Sequence, residues 1–137
     1  MDQPSSSTLK TFSALVGLTS LGIFAQAITA GEFVSQKHRG DWIDAHGIIA
    51  DVVAVLSLAL MVFTIVKLRK VSRQLLAGTI ALFVLVIVQS TLGHQITDND
   101  QDWLIGVHVP LAFVVFAIAV WLPISARMLR RSGALPG

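Results

Sequence analysis

Seven side chains carry most of the chemical capacity of this chain: His38, His46, His94, His108, Asp51, Gln26 and Gln89. There is no cysteine, which excludes disulfides, thiolate chemistry, iron–sulfur ligation and covalent haem attachment through Cys-x-x-Cys-His. No Gly-x-Ser-x-Gly, no His-Glu-x-x-His and no paired carboxylates occur, so hydrolytic chemistry has no nucleophile or metal motif to work with. What remains is imidazole, a metal ligand or proton carrier, together with one acid in an apolar run.

The elements that must position these groups are membrane spans. Of 137 residues, 54% are hydrophobic and only 13% are charged, against about 25% charged in an ordinary soluble domain. Crossing the hydrocarbon takes roughly 20 apolar residues, and four segments qualify: 11–31, 45–66, 75–96 and 103–126. Runs this long predict helices even where Val and Ile dominate, because a lone strand leaves its backbone unsatisfied in lipid. Lys10, Lys67, Arg69, Lys70, Arg73, Arg127, Arg130 and Arg131 all fall on one side, while Asp98, Asp100 and Asp102 fall on the other. The positive-inside effect then predicts both termini in the cytoplasm. Residues 1–10 read as a loose cytoplasmic tail and 128–137 as a second one, flanking a single four-span domain over 11–127. The same effect accounts for the net charge of +2, so nucleic-acid binding is not expected. Trp42 and Trp103 stand where spans two and four begin on the outer side, as interfacial anchors. Short connections predict an all-α, up-down-up-down four-helix bundle. Gly17, Gly22, Ala25, Ala27 and Ala30 give the first helix small faces for close packing.

The two halves of the chain repeat approximately. Gln26, Gly31, Asp41-Trp42 and His46 in the first correspond, with small gaps, to Gln89, Gly93, Asp102-Trp103 and His108 in the second. Each half is a helical hairpin with a histidine about one turn inside its second helix. Helices two and four of such a bundle are diagonal and run the same way, so His46 and His108 face each other at similar depth. Taken singly, each reads as an interfacial polar residue. As a pair they suit a flat macrocycle whose iron takes one ligand from each side, a non-covalent haem b.

Other residues fall around this pair. His94 closes the third helix and would replace either ligand if the register shifted by a turn; otherwise it is a wet helix-end residue. Lys37 and Arg39 suit haem propionates, or are simply solvated. Asp51, five residues beyond His46, is costly inside a span. Proton uptake coupled to redox change, orientation of a ligand, and a hydrogen-bonded structural role all fit it. Gln26 and Gln89 read as interhelical hydrogen-bonders or cofactor contacts. Pro110 removes a helical bond to Gly106, freeing a carbonyl near His108.

Phe24–Asp51, with Ala30-Gly31 and Ala45-His46-Gly47, resembles a family of small bacterial four-helix membrane proteins of unknown function. Val88-Gln89-Ser90 and Gly106-Val107-His108-Val109-Pro110-Leu111-Ala112 fit the same family. The chain is more loosely similar to one half of haem A synthase, whose second and fourth helices each give an outer-side histidine to a haem. That resemblance implies His46 and His108 as ligands in a bacterial cytoplasmic membrane. It does not carry the synthase activity, which uses a second four-helix half and further acids.

The function expected is a membrane b-type haem protein for electron transfer or redox sensing, not a stand-alone enzyme, working with a redox partner, a larger membrane complex or further copies of itself. The alternative is a cofactor-free accessory or assembly subunit of a larger membrane complex. A small drug exporter trails, because the first span contains no acid.

Overall fold

The computed structural model describes residues 5–36 and 39–132, and among these the chain is helical almost throughout. Helix α1 spans Ser6–Ser35, α2 Gly40–Lys67, α3 Arg73–Asn99 and α4 Ile105–Ser132, the last entered through a 3₁₀ turn at Asp102–Leu104. All four are long and apolar enough to cross a membrane. At 1.5 Å per residue, the 28 residues of α2 reach about 42 Å, beyond a hydrocarbon core of about 30 Å. The helices therefore continue past the apolar runs.

Their ends follow local chemistry. The Ser5 side chain accepts from the Thr8 N–H and starts α1, so residues 6–10 are helical, not the loose tail expected from their polarity. Likewise α4 runs on through the arginines to Ser132. Ser72 caps α3 in the same way as Ser5. At the other end of α3, Asp100 takes the left-handed conformation (φ 53°), which Asp tolerates better than most residues. The Gln101 N–H then returns to the Gln95 carbonyl, satisfying an orphaned helix-end acceptor.

Each helix packs antiparallel on its chain neighbours, and α4 closes the ring against α1; α1–α3 and α2–α4 are the diagonals. This is the expected up-down-up-down bundle. Buried residues recur at alternating intervals of three and four: Leu9, Phe12, Val16, Thr19 and Ile23 on α1, then Val53, Ser57, Leu60 and Thr64 on α2. Leu75, Thr79, Leu82 and Val86 continue the pattern on α3, and Val115, Ala119, Leu122 and Ala126 on α4. Such seams suit shallow left-handed helix crossings. The buried threonine hydroxyls close onto their own helices, Thr64 onto the Leu60 carbonyl at 2.8 Å and Thr19 onto the Leu15 carbonyl at 2.9 Å, whereas Ser125 Oγ is buried without a partner.

Close approach falls on particular glycines. A Cβ at Gly22 would lie 2.6 Å from Val53 Cγ2, and one at Gly78 would lie 2.6 Å from the Trp121 ring. Gly17, expected to serve the same end, faces open space. Ser20 adds a hydrogen bond to the Ala119 carbonyl at 3.2 Å, tying α1 to α4.

The packed core is uneven along the bundle. The buried apolar residues run from the end that carries Lys67, Arg69, Arg73 and Arg127 only as far as the middle, where Ile23, Val53, Val86 and Val115 lie. Toward the opposite end, Thr29 is the only buried residue among those described in 24–36, 39–52, 87–99 and 102–114. His46 and His108 lie in that loosely packed end.

Candidate functional site

The site is assembled from four helices at one depth. His46, on α2, is half-buried and is held from α1 on two sides. Gln26 donates its side-chain N–H to the His46 main-chain carbonyl at 2.6 Å, fixing the backbone. Thr29 Oγ1 lies 2.9 Å from His46 Nδ1. The Thr29 hydroxyl also reaches the Ala25 and Gln26 carbonyls at 3.2 and 3.1 Å. With the proton on Nδ1, the Thr29 oxygen accepts from the imidazole and the lone pair is left on Nε2; in the other tautomer the hydroxyl donates to Nδ1. Phe33 packs its ring edge-on against the same imidazole, with centroids 5.4 Å apart and planes at 85°.

His108, on α4, is also half-buried and sits against α3. Its Cε1 approaches the space beside Gly93, and its ring lies against the main chain of Gln89. His46 has the matching relation to the main chain of Gln26. The approximate repeat thus extends to contacts: in each hairpin, a histidine on the second helix meets a glutamine on the first. The two histidines thus stand on the α2–α4 diagonal, each in the N-terminal part of its helix.

The hairpins differ in their hydrogen bonds. His108 Nδ1 is buried without a partner, and so is Gln89 Oε1. Three residues beyond Gln26 stands Thr29, whose hydroxyl serves His46; three residues beyond Gln89 stands Leu92, which has no hydroxyl to offer. Buried polar atoms are seldom left unpaired, so two such atoms beside one imidazole mark a site with polar capacity to spare.

The remaining sequence candidates lie elsewhere. His94 is exposed and its Nδ1 bonds the Ser90 carbonyl of its own helix at 2.8 Å, so the structure does not bring it to the pair. Arg39 is exposed at the entrance to α2. Lys37 and His38 lie outside the described residues. Asp51 is exposed on the outer surface of α2; five residues at 100° each turn it about 140° away from His46. Pro110 is accommodated within a continuous α4. Sequence reasoning missed Thr29 and Phe33. Thr29 sits one turn from Gln26 on the same helical face, and that spacing is the signal that would have found it.

Among the described residues, no three His, Asp or Glu side chains converge on a point. A metal ion needing a full set of protein ligands has no such set there, whereas a macrocycle that supplies its own four equatorial nitrogens needs only an axial pair. Compared with known protein families, curated proteins and solved structures, the chain gives no match.

Proposed function

We propose that this chain is a b-type haem protein of the bacterial cytoplasmic membrane, with both termini cytoplasmic and with His46 and His108 as axial ligands. One observation carries the reading: two half-buried histidines on diagonal helices, each set against the first helix of its own hairpin, lie in the half of the bundle where packing is sparse. Interiors close-pack when nothing else fills them, so this end suits a large apolar occupant. The residues present fit such a group. With its proton on Nδ1, toward Thr29, His46 would offer Nε2 for ligation. Gln26 anchors the main chain that bears it, and Phe33 supplies an apolar wall. The unpaired His108 Nδ1 and Gln89 Oε1 are available to bond water or a polar edge.

Bound haem would supply a one-electron couple, and two imidazole ligands suit it to electron transfer or redox sensing rather than to activation of a substrate. The protein would contribute position, a low-dielectric surrounding and the basicity of its ligands. The positions of the basic residues support the orientation, and the apolar helices support the membrane setting.

The test is haem titration of the purified protein in detergent. His46→Ala and His108→Ala should each abolish the six-coordinate low-spin spectrum, while His38→Ala and His94→Ala should leave it intact. Full low-spin binding by both core variants would refute the ligand pair. A wild-type protein that takes up no haem would leave the accessory-subunit reading standing.

A further inference from the structure

Asp51 is the only Asp, Glu, Lys or Arg within the four apolar runs. It stands nine residues past Trp42, roughly 13 Å along the helix axis. Its side chain is exposed on the bundle surface, with no hydrogen bond or ion pair to any described residue. In lipid such a group has no water to bond, and intramembrane acids normally face a partner.

The surface around Asp51 is patterned. Ile48, Asp51, Val55, Leu58 and Val62 are all exposed, Ile48 by 65% and Val55 by 66%, and they are spaced three, four, three and four residues apart. The buried stripe of α2 within the bundle is Val53, Ser57, Leu60 and Thr64. Each of these lies two residues beyond a member of the exposed stripe, about 200° around the helix. Helix α2 therefore carries two seams on opposite faces, and only one is filled by its own chain. In heptad terms the open seam has Ile48, Val55 and Val62 at one layer position and Asp51 and Leu58 at the other. β-branched residues alternating with Leu in this order favour two parallel strands, and a single polar residue in the seam sets register. An apolar groove lined by Val55, Leu58, Ala59, Val62 and Phe63 runs along the same face.

We propose that this face of α2 is a homodimer interface, with α2 of one copy packed parallel to α2 of a second and the two Asp51 carboxyls hydrogen-bonded to each other. Copies of one chain share their orientation in the membrane, so a two-fold axis along the membrane normal brings Asp51 to Asp51 at equal depth. A carboxyl pair is self-complementary, because a protonated group donates and the other oxygen accepts. A different partner would have to bring its own donor to this depth. The assignment does not depend on the histidine pair.

The absence of cysteine in the natural chain makes the test direct. Single cysteines are placed in the full-length protein by Val55→Cys and, as a control, by Phe113→Cys on the exposed face of α4. Membranes containing each variant are then mildly oxidised. Val55→Cys should give a disulfide-linked dimer and Phe113→Cys should not. Adding Asp51→Ala to Val55→Cys should lower dimer yield roughly tenfold, the scale of one interhelical polar pair in a bilayer. Adding Asp51→Asn, which keeps a donor and an acceptor, should retain the dimer. Absence of crosslinking through Val55, equal crosslinking through Phe113, or indifference to Asp51→Ala would each overturn the interface.

Discussion

At the basic end of the bundle, four seams interlock through Phe12, Leu60, Leu82 and Leu122, all fully buried. At the histidine end the same four helices bring Gln26, His46, Gln89 and His108 together around a single buried residue, Thr29. The helices are continuous from one end to the other, so the difference lies in what fills the space between them. Lipid is as apolar as leucine, and helix association in a bilayer therefore rests on packing contact and a few polar bonds. The basic end has the packing. The histidine end has interhelical hydrogen bonds with unpaired polar atoms beside them, an arrangement suited to an occupant that adds its own contacts. On the proposed reading, stability and function are divided along the length of one helical unit.

That division can be broken by truncation at each end. Leu82→Ala should cost about 2–5 kcal/mol of stability, because it opens a cavity among fully buried neighbours. Val107→Ala, on the exposed face of α4 at the histidine end, should stay within about 0.5 kcal/mol. Unfolding in mixed micelles measures both, and similar losses would mean that the two ends are packed alike. A smaller effect is expected from Gln26→Ala. It removes the bond to the His46 carbonyl and should cost about 1 kcal/mol, with weaker haem retention and no change in ligand identity. A spectrum lost outright would make Gln26 more than an anchor.

The finest comparison is between the two histidines. A hydrogen bond from Nδ1–H makes an imidazole a better donor to oxidised iron and so lowers the midpoint potential. Thr29→Val should raise the potential, and Leu92→Thr, which gives His108 the hydroxyl its hairpin lacks, should lower it. One hydrogen bond of about 1 kcal/mol corresponds to about 40 mV for a one-electron couple, an upper bound on each shift. Redox titration of both variants checks the signs. Shifts in the same direction would contradict the asymmetry drawn between the hairpins.

Much of the fold was legible in the sequence because the bilayer demands long apolar runs and permits few architectures for them. The helix ends were less so: Ser5 and Ser72 begin helices in polar segments that hydropathy cannot distinguish from loops. The uneven core was hidden because Leu, Ile and Val serve lipid and interior equally, so the same residue types occur at both ends. Gly17 and Gly22 illustrate this, since only Gly22 meets a neighbouring helix. At the site, the repeat led to His46, His108 and both glutamines. Thr29 was passed over because hydroxyls are common in spans and usually bond their own helix, as Thr19 and Thr64 do here. Asp51 was grouped with His46 by sequence distance, whereas helical phase turns the two apart.

The central claim is that the histidine end holds a haem between His46 and His108. A visible spectrum of the purified protein, oxidised and then reduced with dithionite, tests it most directly. The account predicts a Soret band that sharpens and shifts on reduction, with resolved α and β bands, and its loss in His46→Ala and His108→Ala. A protein that stays colourless after haem is supplied, or that keeps the low-spin bands without either histidine, would contradict it.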